Sequence, residues 1–153
     1  MPKSYSQPGP VARTLEVIGE RWTLLILQDL LRGNHRFADL KESVQGIAPN
    51  VLSERLKLLE ANGVVQRRLY SDHPLRAEYH LTKTGHELGV VAGALASWGA
   101  RHLSDKQVLV HRECGSPISV VYHCPTCDLH VQGAGVRFVN RSESAQKTVA
   151  SGG

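Results

Sequence analysis

No run of apolar residues in this 153-residue chain approaches the ~20 needed to span a bilayer. The stretch Met1 to Pro10 has no apolar core of the kind a secretory signal requires. Both absences lead to the expectation of a cytoplasmic protein with no membrane partner. Cysteine is scarce as well: there are three, all between Cys114 and Cys127. An odd, crowded set does not fit the paired disulfide framework of small secreted domains. Also missing are the HExxH helix, the nucleophile elbow and the glycine-rich phosphate loop, which argues against an enzyme. Charge is modest in amount, 18 Lys and Arg against 14 Asp and Glu, for a net +4. Its placement carries more information, because Arg55, Lys57, Arg67, Arg68 and Arg76 crowd into one stretch, as phosphate contacts require.

That stretch, Arg36 to Leu81, organises the chain. Phe37, Leu40 and Val44 recur at helical spacing and give a short helix with Arg36 at its start. Gln45-Gly46-Ile47 is the length of a helix-turn-helix link. A second helix is expected from Ala48 or Pro49, since proline suits a first helical position, and Gly63 suits its stop. At about 100° per residue, Leu52, Leu56 and Leu59 share one arc, widened by Val51 and Leu58. Asn50, Ser53, Glu54 and Lys57 share the opposite one. Short polar side chains that donate and accept are what a helix reading base edges in a major groove needs; taken alone, the same face also fits an ordinary solvated surface. Arg55 falls inside the apolar arc, either pairing with a carboxylate or reaching toward a phosphate.

Two strands follow, Val64 to Tyr70 and Ala77 to Leu81, joined by the polar loop Ser71 to Arg76. In the second, Ala77, Tyr79 and Leu81 are expected inward, Glu78 and His80 outward; alternation in the first turns Arg67 inward. Helix, turn, helix and basic hairpin are the order of a winged helix. The candidate DNA-contacting residues are Arg36, Asn50, Ser53, Glu54 and Lys57, with Arg68, His73 and Arg76 on the wing.

The motifs VIGERWTLLIL, RFADLK, GIAPNVLSERLKLLE, NGVVQRR, HPLRAEYHLTKTG and ALASWGARHL run between Val11 and Leu103. In this order and spacing they resemble the HxlR-type transcriptional regulators, a bacterial branch related to the MarR regulators. The resemblance implies a winged helix-turn-helix that regulates transcription as a homodimer built through its terminal helices. Many members carry a redox-sensing cysteine just before the first helix, in a Cys-Pro-Val setting. Here the run is Pro8-Gly9-Pro10-Val11, with Gly9 where that thiol would be.

Around this centre, Met1 to Pro10, with three prolines, reads as a flexible arm. Val11, Leu15 and Ile18 give one stripe on a first helix ending at Gly19. Trp22 to Leu31 is apolar nearly all round and reads as a helix buried on most faces, with Trp22 in the core. Thr82 caps a helix from Lys83 to about Leu103. On it Leu88, Val91, Leu95 and Trp98 follow the 3–4–3 spacing of a two-helix seam, here assigned to a second copy of the chain; the competing reading packs them on their own domain. A symmetric dimer matches a palindromic operator.

Residues 108–139 form a short β appendage, with strands at Ile118–Tyr122 and Val136–Val139. His111 with Cys114, and Cys124 with Cys127, have the spacing of two zinc-ribbon knuckles, so a structural zinc on these four is one reading and a metal-free appendage the other. The Ser-rich stretch 140–153 reads as a disordered tail. The expected class is mainly α with a small β hairpin, a sequence-specific DNA-binding regulator whose small-molecule effector, if it has one, is not specified. A CxxC-based redox or protein-interaction module using Cys124 and Cys127 is the alternative.

Overall fold

A computed structural model describes residues 4–104 and 106–141. Four helices come first: α1 (Pro10–Ile18), α2 (Thr23–Arg32), α3 (Phe37–Ser43) and α4 (Pro49–Ala61). The hairpin β1 (Val65–Asp72) and β2 (Leu75–Leu81) follows, then α5 (Lys83–Glu87) and α6 (Gly89–His102). A second hairpin, β3 (Tyr122–Cys124) with β4 (Leu129–Val131), lies in the C-terminal segment.

One aliphatic core holds the first part together. Ile18, Ile26, Leu27, Leu30, Leu40, Val44 and Ile47 meet the α4 arc Leu52, Leu56 and Leu59, closed by Val64 and Val65. The helix ends follow from local chemistry. Pro49 occupies the first turn of α4, where no N–H is needed, and Gly63 takes φ +68, a left-handed conformation that costs glycine little. Thr82 caps α5 by accepting from the Gly85 N–H at 3.1 Å, while its hydroxyl donates to the Gly63 carbonyl at 2.6 Å. Gly85 is buried so closely against the Val64 carbonyl and Leu81 that a Cβ would collide with both. The base of the hairpin is thereby fastened to the start of α5.

Several expectations need correction. The expected 71–76 loop is only the His73-Pro74 turn, because Asp72 pairs with Leu75 and Ser71 with Arg76, extending both strands. Tyr70 is an extra residue between the Leu69–Ala77 and Ser71–Arg76 pairs, a β-bulge. Glu78 and His80 are half-buried rather than outward, covered by Arg36 and by the His35 ring, which stacks on His80 at 4.3 Å. The single helix from Lys83 is broken at Leu88, whose N–H bonds back three residues to the Gly85 carbonyl. Leu88 itself packs on the domain core, so of the expected dimer stripe only Val91, Leu95 and Trp98 stand exposed. On α1 the stripe splits: Ile18 is buried, whereas Val11 and Leu15 face outward. On α2, Leu25 is exposed and Trp22 sits half-buried against the core under the Arg21 guanidinium. The arm is held at its end, where the Ser4 hydroxyl and Tyr5 N–H donate to Glu16; residues 1–3 and 142–153 of the expected arm and tail lie outside the described residues.

Candidate nucleic-acid interface

The interface is built on α4 and the hairpin. Because Leu52, Leu56 and Leu59 are anchored in the core, the opposite face of α4 must point away from it. Asn50, Glu54 and Lys57 are exposed there and Ser53 is half-exposed, so the four expected reading residues occupy one accessible row. Arg55 takes the first of its two expected roles. Its guanidinium turns to the Glu20 carboxylate, 3.9 Å away, at the junction of α1 and α2.

A basic recess of about 590 Å³ opens between the start of α3 and the hairpin. Arg36, Arg67 and Arg76 line it with Tyr70 and Asp39. Arg36 begins α3, lies over the Tyr70 ring at 5.0 Å and bonds the Glu78 carboxylate at 3.3 Å. Hydrogen bonds from His80 and then from Arg36 hold the Glu78 carboxyl below its ordinary range, so the pairing is with a carboxylate. Arg67 corrects the sequence reading: it is exposed and lines the recess instead of turning inward. Arg68 is on the other face of the ribbon, where it donates to Gln66 at 3.1 Å and is opposite Glu78. His73 is exposed at the hairpin tip. Arg67 keeps the face that alternation gives it, across from Tyr79, but the core stops at Val65, so its side chain stays accessible. The Tyr70 platform was missed because the bulge there has no glycine or other mark in the sequence.

Removing Arg76 is expected to weaken binding to every DNA sequence and to reduce the slope of log affinity against log salt by about 0.9, one phosphate's share of released counterions. Titrations of the Arg76→Ala protein at several salt concentrations check this, and an unchanged slope counts against a phosphate contact there.

The C-terminal histidine and cysteines occur as two pairs. His111 Nδ1 approaches Cys114 Sγ at 3.2 Å on one turn, and Cys124 and Cys127 lie together on the β3–β4 turn. Among the described residues no three His, Cys, Asp or Glu side chains group so as to hold a metal ion. The two knuckles stand here as two pairs, without the ribbon likeness that a zinc on all four, one of the two readings of the spacing, would bring. Hydrogen bonds from Ser116 and then from His111 pull the Cys114 thiol down to about 7. Backbone N–H groups of Cys127 and Thr126 lower Cys124, which in turn raises Cys127. The strands differ too: β3 begins only at Tyr122, and Val136 to Val139 form no strand.

A core of helices presenting one polar helix face beside a two-stranded basic wing defines the winged helix-turn-helix class of DNA-binding proteins. Residues 17–107 match the HxlR-like helix-turn-helix family. The chain belongs to that family and is a transcriptional regulator with a helix-turn-helix DNA-binding domain. It is 40% identical over 120 residues to the HTH-type transcriptional regulator Rv3095 of Mycobacterium tuberculosis, spanning 78% of this chain and 70% of the relative. Among solved structures, the transcription factor PA1607 superposes with a TM-score of 0.75 at 30% identity, covering 89% of this chain and 96% of that one. The Pseudomonas aeruginosa transcription factor PA1374 gives 0.64 at 34% identity, covering 91% and 99%. No helix among the described residues is long and apolar enough to cross a membrane.

Proposed function

We propose that the protein binds a palindromic operator as a homodimer, with α4 of each copy in the major groove and each wing on the flanking backbone. The observation that carries this reading is the row Asn50, Ser53, Glu54 and Lys57, accessible on a helix whose other face is locked into the core. Asn50 and Ser53 supply donors and acceptors for base edges, Glu54 an acceptor and Lys57 a donor. Arg36, Arg67 and Arg76 surround the adjoining recess and supply the positive potential that phosphates require, with Arg68 and His73 further along the wing. The second copy is drawn by α6, on which Val91, Leu95 and Trp98 are exposed; Trp98 is 52% accessible. Apolar side chains of this size at seam spacing are suited to burial against the same helix of a partner.

Selection of bound DNA from a random pool tests the reading. The wild-type chain is expected to return two inverted half-sites. Asn50→Ala or Ser53→Ala is expected to relax preference at particular positions, by roughly 1–3 kcal/mol where the lost contact is bidentate. Recovery of the wild-type preference by both variants would remove α4 as the reading helix.

A further inference from the structure

The segment after α6 doubles back across the domain and leaves a half-open cavity of about 640 Å³ between α2, α6 and residues 107–112. This is within the size range of small-molecule sites. The α6 wall is Gly89, Ala92, Gly93 and Ala96, and its smallness makes the space. A Cβ at Gly93 would come to 3.3 Å from Leu109 and one at Gly89 to 3.5 Å from Leu31, so larger residues at these positions would press on the opposite walls. Leu31, Leu109 and the valines beside Leu109 make those walls aliphatic, and no aromatic ring lines the cavity.

Three polar side chains besides Gln28 belong to the lining: Arg32, Gln107 and Arg112. Arg32 bonds the Asp29 carboxylate at 3.3 Å and the Gln107 amide oxygen at 3.2 Å, tying the returning segment to α2. Asp29 therefore balances Arg32. Arg112 also lines the cavity, is exposed, and has no ion-pair partner among the described residues. The lining thus carries one uncompensated positive charge beside its aliphatic residues. We infer that this cavity binds a small aliphatic monoanion, its saturated chain against α6 and the returning segment and its anionic group at Arg112.

The position of the cavity gives such a ligand a use. At 100° per residue, Gly89, Ala92, Gly93 and Ala96 occupy the face of α6 opposite Val91, Leu95 and Trp98. A ligand filling the cavity presses on one side of the helix whose other side is the partner-facing stripe. That it acts as an effector of operator binding rests on the proposed DNA-binding dimer; the binding site itself does not.

Calorimetric titration of the full chain without DNA, with octanoate and its neutral isostere octanamide, tests the site. Octanoate is expected to bind about once per chain, and octanamide about tenfold more weakly, because only the acid makes a charge-assisted contact. Arg112→Ala, at an exposed position that leaves the fold intact, is expected to weaken octanoate about tenfold without changing octanamide. Ala96→Leu should intrude from the α6 wall and weaken both. Absence of octanoate binding, equal binding of acid and amide, or an unaltered Arg112→Ala protein overturns the assignment. Octanoate that binds but leaves operator affinity unchanged overturns the effector role alone. Failure of the protein to bind any DNA leaves the calorimetric result standing and defeats the functional reading.

Discussion

Leu56→Ala should destabilise the protein by about 2–5 kcal/mol, the range for truncating a fully buried leucine and leaving a cavity. Leu56 is 1% exposed and belongs to the cluster that joins α4 to α2, α3 and the base of β1. In a domain of this size such a loss lowers the melting midpoint by about 10 °C or more. Operator affinity measured well below that midpoint should hold, because Leu56 is on the opposite arc of α4 from Asn50, Ser53, Glu54 and Lys57. Denaturant unfolding followed by circular dichroism checks the first part and a DNA titration at low temperature the second. A loss below about 1 kcal/mol would show that α4 is not anchored through this arc.

Leu95→Glu should have the larger functional effect. Leu95 is 52% exposed on α6, so the substitution introduces no charge into the domain's own core. In the proposed dimer it buries two carboxylates across the symmetry axis, and an unpaired buried charge costs roughly 2–5 kcal/mol. The variant should sediment as a monomer, melt close to the concentration-independent limit, and bind a full palindrome at least about a hundredfold more weakly. Its affinity for an isolated half-site should stay near that of the parent. A variant that remains dimeric would place the interface elsewhere, and the exposed Val11 and Leu15 of α1 would be the next surface to test.

Most of the winged helix was legible in the sequence because its signals are local. The arc of Leu52, Leu56 and Leu59 needs only the helical period, and Pro49 and Gly63 mark the ends of α4 through their own backbone preferences. The family resemblance covered the same residues. What escaped notice depends on partners distant in sequence. The 3–4–3 spacing from Leu88 to Trp98 cannot reveal that Leu88 is taken by the core or that its N–H closes a tighter turn on Gly85. Strand alternation gives the face of Arg67 but not how far the core extends beneath that face, which ends at Val65, and the bulge at Tyr70 is set by pairing with β2.

The C-terminal segment shows the limit most clearly. His111, Cys114, Cys124 and Cys127 have ribbon spacing, but spacing fixes only which residues share a turn. Whether two turns converge depends on the path between them. Here the chain bonds Ile118 N–H to the Leu109 carbonyl and closes one loop around the first pair, then closes β3–β4 around the second. The cavity was invisible for the same reason: Gln28, Leu31 and Arg32 are separated in sequence from Gln107 to Arg112 by the whole reading head.

The close fit of Gly85 under the Val64 carbonyl leaves no slack where the hairpin meets α5. With Leu88 also packed on the core just before α6, the two reading heads of the proposed dimer are held like the jaws of a caliper. Inserting one base pair at the centre of an operator turns the half-sites by about 35° relative to each other, given 10–10.5 base pairs per helical turn. It also moves them about 3.4 Å apart along the axis. A joint packed this tightly resists such a rotation. Operator choice then depends on spacer length as strictly as on the bases read, and a genome offers far fewer correctly spaced pairs of half-sites than single half-sites.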